Sequence, residues 1–105
     1  MPEYIQVFVT IDDESKAEEI ASKIVEKRLA ACVQITGLVK SLYRWKGKIN
    51  KDKEWLLIFK SSEKLYDELE REIKNLHTYD TPEILAMPVV KGNVDYLNWL
   101  EEELK

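Results

Sequence analysis

Five consecutive apolar residues, Trp55-Leu56-Leu57-Ile58-Phe59, constrain this chain more than any other feature. Successive side chains of a strand point to opposite sides of its sheet, so such a run can be placed only by burying both faces. Whatever the fold, one sheet must be covered twice.

Residues 4–10 alternate with period two: Ile5, Val7 and Val9 face one way, and Tyr4, Gln6, Phe8 and Thr10 the other. Ser15 with Glu18 reads as a capping box, and Ala17, Ile20, Ala21, Ile24, Val25 and Leu29 form the apolar stripe of an amphipathic helix. The strand pattern returns over residues 31–45, with Gly37 predicting a bulge. Lys46-Gly47 suits a tight turn, so residues 41–45 fold back onto Lys48-Ile49, while Asn50-Lys51-Asp52-Lys53 reads as a kink or second turn. Ser61-Ser62 predicts the cap of a second helix whose inward stripe is Leu65, Leu69, Ile73 and Leu76. Pro82 stops that helix a few residues beyond His77. A fourth strand is predicted over residues 83–91, with Pro88 marking an edge or bulge, and Gly92-Asn93 opens a last helix carrying Tyr96, Leu97, Leu100 and Leu104.

The order β-α-β-β-α-β plus a helix predicts an α+β fold, the ferredoxin-like split β-α-β sandwich with an antiparallel sheet and an extra C-terminal helix, as a single domain over residues 1–105. Right-handed crossovers put both connecting helices on one face. The opposite face should then be polar, yet Trp55 to Phe59, Tyr4, Phe8, Tyr43 and Trp45 make it oily. Leaving about 500 Å² of apolar surface wet would forgo on the order of 10 kcal/mol, comparable to the stability of a whole domain. The terminal helix shields only part of a sheet, so identical copies in closed symmetry are expected to cover the rest.

Sixteen Lys and Arg against twenty Asp and Glu give a net charge of -4, with no concentrated basic segment, so nucleic acid is not an expected partner. Cys32 is the only cysteine, which excludes an intrachain disulfide and a multi-thiolate zinc site and points to a reducing compartment. Met1-Pro2-Glu3-Tyr4 lacks the basic start and apolar stretch of a signal peptide, and no apolar run reaches membrane-spanning length. A cytoplasmic protein without a membrane partner is expected.

Little chemistry is on offer. Nucleophilic catalysis needs a positioned base, and His77 is the only histidine. Cys32 lies among Ala30, Ala31 and Val33, where a small buried thiol is the ordinary finding, so no Cys32–His77 dyad and no enzyme is expected. For a metal the candidates are His77 with Tyr79, Asp80 and Glu83, since imidazole and carboxylate suit copper or zinc. The competing reading puts His77 at a helix C-terminus bonding free carbonyls. Trp45, Trp55 and Trp99 read as core and interface anchors.

Several blocks together resemble the CutA family of divalent-cation tolerance proteins: residues 29–35 (Leu-Ala-Ala-Cys-Val-Gln-Ile), 41–49 (Ser-Leu-Tyr-Arg-Trp-Lys-Gly-Lys-Ile), Glu54, Lys60, 77–84 (His-Thr-Tyr-Asp-Thr-Pro-Glu-Ile) and 96–100 (Tyr-Leu-Asn-Trp-Leu). The resemblance covers nearly the whole chain. It implies a cytoplasmic homotrimer paired through strands and linked to tolerance of copper and other divalent metals, with no firmly assigned reaction and no organic cofactor. It also implies His77 as the retained metal-site residue. Some members carry a cysteine at the end of the first strand and a second histidine; here those positions hold Val9 and Leu76, so copper(II) or another divalent cation is expected to bind weakly. An alternative carried by the same resemblance is a PII-like trimeric small-ligand sensor or scaffold, with Tyr43, Trp45 and Tyr79 in a cleft between subunits.

Overall fold

A computed structural model describes residues 3–105; Met1 and Pro2, on which part of the leader reading rests, lie outside the described residues. Strand β1 (Tyr4–Ile11) leads to helix α1 (Glu14–Glu26), the long strands β2 (Cys32–Trp45) and β3 (Lys48–Ser62), helix α2 (Tyr66–Leu76), strand β4 (Ile84–Pro88) and helix α3 (Val94–Glu103). The four strands form one antiparallel sheet in the order β2-β3-β1-β4. This is the expected arrangement, in which β3 separates β1 from β2 and β1 separates β3 from β4.

The period-two reading of β1 holds: Val7, Val9 and Ile11 are fully buried beside Leu57 and Phe59 of β3. Helices α1 and α2 close over that face with Ala17, Ile20, Ile24, Leu69 and Ile73. Leu104, just past α3, reaches the same core, and the chain end is tied back by the Lys105 amide donating to the Arg28 carbonyl at 2.9 Å.

Three local expectations are corrected. Asp13, not Ser15, caps α1, its carboxylate accepting from the Lys16 amide at 3.0 Å; the helix begins two residues earlier than the capping box implied. Ser61 and Ser62 end β3 instead of capping α2, and a short 3-10 turn (Glu63–Leu65) intervenes. Ser61 Oγ is buried and donates to the Leu29 carbonyl at 2.6 Å, tying β3 to the segment between α1 and β2. Residues 50–53 neither kink nor turn; they continue β3, pairing Asn50 with Tyr43 and Asp52 with Ser41. Cross-strand pairing overrides the turn character of Asn and Asp there.

Gly37 does mark a bulge, since the β2–β3 register shifts between Thr36 and Val39. A Cβ there would run into the Trp55 indole, 2.9 Å from Cδ2. The Lys46-Gly47 turn forms with φ of 52° and 77°, the left-handed geometry that glycine adopts freely. Strand β4 is shorter than expected and pairs only with β1, so Pro88 sits on an edge strand.

Among the described residues, β3 has no partner but β2 beyond the register Ile11↔Trp55. The hairpin therefore projects past the sheet and stretches the molecule to 45 × 26 × 23 Å. Leu38, Leu42, Trp45 and Ile49 are exposed along it. On the face away from α1 and α2, Phe8, Leu56 and Ile58 are half-buried and Leu85 and Met87 exposed. Helix α3 reaches only one end of that face, where the Tyr4 hydroxyl donates to Glu101 at 3.2 Å and Lys60 Nζ lies 6.0 Å from the Tyr96 ring centroid.

Candidate cation site

The root of the hairpin, the end of β1 and the loop after α2 line a cavity of about 470 Å³ that opens to solvent. The register explains its lining. Ile11 pairs with Trp55, which brings Asp12 beside Glu54, and Asp52 shares Glu54's side of β3 because the two stand two residues apart. Tyr43 and Trp45 stand in the same alternation on β2, and the loop adds Tyr79, Asp80 and Glu83. Five carboxylates line the cavity, with no Lys, Arg or His. None of the five forms an ion pair among the described residues, where all five ion pairs lie elsewhere.

Glu54 is the focus of this charge. It is only 6% exposed, and the hydrogen bond its side chain makes is the one Oε2 accepts from the Tyr79 hydroxyl at 2.8 Å. Burial, that bond, and the charges of Glu54, Asp12 and Asp52 together hold the Tyr79 phenol far above its ordinary range. The Tyr43 hydroxyl donates to Asp52 Oδ2. That bond, then loss of water, then the carboxylates of Asp52, Glu54 and Asp12, raise its phenol as well. Both tyrosines therefore stay neutral in a strongly negative field.

The predicted site residues separate into two groups. Tyr79, Asp80 and Glu83 line the cavity, and His77 does not. Half-buried His77 instead fastens the loop. The Tyr79 amide donates to Nδ1 at 3.0 Å, so Nε2 carries the proton and donates to the Thr10 carbonyl of β1 at 2.8 Å. The imidazole also packs edge-on against the Tyr79 ring, 4.6 Å between centroids at 64°. With both nitrogens engaged, His77 forms no dyad with half-buried Cys32. Its helix-end position holds, but the carbonyl it bonds belongs to β1 and not to α2. Among the described residues, no three His, Cys, Asp or Glu side chains stand together in an arrangement that could hold a metal ion.

Asp12, Asp52 and Glu54 were missed in the sequence for two reasons: reading residues 50–53 as a turn hid the period-two alternation that puts Asp52 and Glu54 on one side of β3, and Asp12 joins them only through the register of β1 on β3.

The model of one protein family, the CutA1 divalent ion tolerance protein, matches residues 5–103. A Thermus thermophilus divalent-cation tolerance protein CutA is 44% identical over 96 residues, covering 91% of this chain and 93% of that protein. Protein CutA 1, chloroplastic, of Oryza sativa is 41% identical over 101 residues, and the chain covers 57% of its length. A solved Archaeoglobus fulgidus structure, described as a periplasmic divalent cation tolerance protein CutA, superposes with a TM-score of 0.94 at 35% identity, covering 97% of this chain and 98% of that one. No helix among the described residues is long and apolar enough to cross a membrane.

Proposed function

We propose, from the premise that this chain belongs to the CutA1 divalent ion tolerance family, that it is a non-enzymatic homotrimer that binds divalent cations, copper(II) among them, weakly. The observation that carries the binding step is the cavity of five carboxylates, none of them in an ion pair among the described residues and with no basic residue in its lining there. Clustered negative charge in a concave, partly dry site concentrates cations, and carboxylate oxygens suit hard divalent ions. In this reading Asp80 and Glu83 supply oxygens, Tyr79 lines the site, and His77 fixes the loop that carries them. With Val9 and Leu76 in place of thiolate and second imidazole, the donors are almost all oxygen, which accords with weak copper binding.

Support for the trimer comes from the projecting hairpin. A two-stranded hairpin is marginal alone in water, and its free edges and exposed Leu38, Leu42, Trp45 and Ile49 invite strands from sister chains. The single free cysteine accords with the cytoplasm as its compartment. A second reading, a small-ligand sensor, draws support from the aromatic lining that Tyr43 and Trp45 give the cavity.

Calorimetric titration of copper(II) into wild type, His77→Ala and the double variant Asp80→Asn, Glu83→Gln tests the metal reading. Weaker binding by the double variant is expected. Isotherms indistinguishable from wild type would remove the cavity from it, and a loss confined to His77→Ala would return the ligand role to the imidazole.

A further inference from the structure

We propose that α3 is a conditional helix: its last turn stays wound only while Arg28 latches it, and without that latch it unwinds while the sandwich beneath stays folded. This is a property of the fold, separate from the cation reading.

The helix is poorly equipped to stand by itself. Its 10 residues fall short of the roughly 12–15 at which an isolated helix becomes even marginal in water. The N-terminal end is well made, with Asn93 Oδ1 accepting from the Tyr96 amide at 3.1 Å and Asp95 in the first turn. The C-terminal end is the reverse. Glu101, Glu102 and Glu103 crowd the negative pole of the helix dipole, and α3 contains no Lys or Arg to offset them from within.

The compensation comes from outside. Arg28 Nε donates to the Glu103 carbonyl at 2.8 Å and Nη2 to the Glu102 carbonyl at 2.5 Å, so one fork fills two of the carbonyls that a helix end leaves open. Lys64 adds an ion pair to Glu101 at 3.8 Å.

Arg28 is also an unusual residue for its own place. Helix α1 ends in a Schellman arrangement, the Arg28 amide donating to the Val25 carbonyl at 3.0 Å and the Leu29 amide to the Ile24 carbonyl at 3.2 Å, with Arg28 at φ 60°. Glycine is the usual occupant of that left-handed position, where a Cβ is strained. Arginine therefore serves α1 worse than glycine would, and the hydrogen bonds its side chain makes among the described residues both go to α3.

Unwinding stays local because α3 adds little to the main core. Leu100 is its one buried residue, and it stands outside the cluster that β1, β3, α1 and α2 build. Opening also relieves a polar defect. Ser62 pairs with Tyr4, whose hydroxyl reaches Glu101 of the last turn, and the buried Ser62 Oγ has no hydrogen-bond partner among the described residues. Water admitted there satisfies that hydroxyl and lowers the cost of opening. What the latch controls is whether the end of the sheet at Tyr4 and Ser62 is covered.

Amide hydrogen exchange of the native assembly, compared between wild type and Arg28→Gly, tests this. The variant removes the fork yet puts the preferred residue at the end of α1, so it is expected to fold, with the amides of β1 and β3 as protected as before. Amides of residues 100–104 should exchange about tenfold faster or more, the effect of losing two charge-assisted bonds. Adding Glu102→Lys and Glu103→Lys to Arg28→Gly should restore protection, since cations in the last turn stabilise the helix from within. Wild-type exchange of α3 in Arg28→Gly would overturn the proposal. So would acceleration of β1 and β3 by the same factor, or failure of the two lysines to slow exchange in α3.

Discussion

Replacing His77 separates a latch from a ligand. His77→Ala removes the bond from Nε2 to the Thr10 carbonyl at 2.8 Å, the bond from the Tyr79 amide to Nδ1 at 3.0 Å, and the edge-on contact with the Tyr79 ring at 4.6 Å. Each hydrogen bond contributes roughly 1 kcal/mol net, and the aromatic contact about 0.5–1.5 kcal/mol. Because Thr10 is buried, its carbonyl finds little water to replace the lost donor. The expected loss of stability is about 3 kcal/mol. His77→Phe keeps the ring and loses both bonds, so about 2 kcal/mol is expected. Guanidinium unfolding in metal-free buffer measures both, from the shift in midpoint at constant slope. Protomer concentration must be held fixed, since association adds to apparent stability. A loss below about 1 kcal/mol for His77→Ala would refute the latch. Abolished copper binding alongside that small loss would make the imidazole a ligand.

Gly37→Ala drives a Cβ to 2.9 Å from Trp55 Cδ2, and overpacking of this kind costs about 1–3 kcal/mol, readable as a lower thermal midpoint. Gly47→Ala meets no atom within 4 Å and should cost about 1 kcal/mol through its φ of 77° alone. The raised Tyr79 phenol means that the folded state holds this proton more tightly than the unfolded chain, whose phenol titrates near 10.0. Its contribution is therefore complete below that pH and declines as pH rises above it; Tyr79→Phe should flatten the alkaline limb of the stability profile, and phenolate absorbance should lose its most titration-resistant tyrosine in that variant. Ile49→Asp places a charge on an apolar residue 67% exposed on the hairpin; sedimentation at micromolar concentration should show dissociated chains, and unchanged oligomers would place the association surface elsewhere.

Much of the architecture was legible because periodicity reports burial. The alternation in residues 4–10 and the helical stripes through Ile20, Ile24, Leu69 and Ile73 were read from the spacing of apolar residues and match the core. The failures were local, at Ser15, Ser61-Ser62 and Asn50 to Lys53, all polar residues whose turn and capping tendencies yield to the strand pairing or the neighbouring cap that tertiary contacts select. Tyr79, Asp80 and Glu83 could be grouped because they are close in sequence. Asp12, Asp52 and Glu54 could not, since Asp12 meets them only through the register of β1 on β3.

By itself, the order of apolar residues determined which segments become strands and helices, the order of the sheet, and the excess of oily surface on one small subunit. Only the tertiary structure decided what the lone histidine does and where the negative charge collects. Both depend on pairing distant segments: the imidazole is occupied because β1 places the Thr10 carbonyl within its reach, and Glu54 is buried because β1 and the loop after α2 close over it. Sequence spacing records which side of a strand a residue occupies, whereas its electrostatic environment is set by what lies across the register.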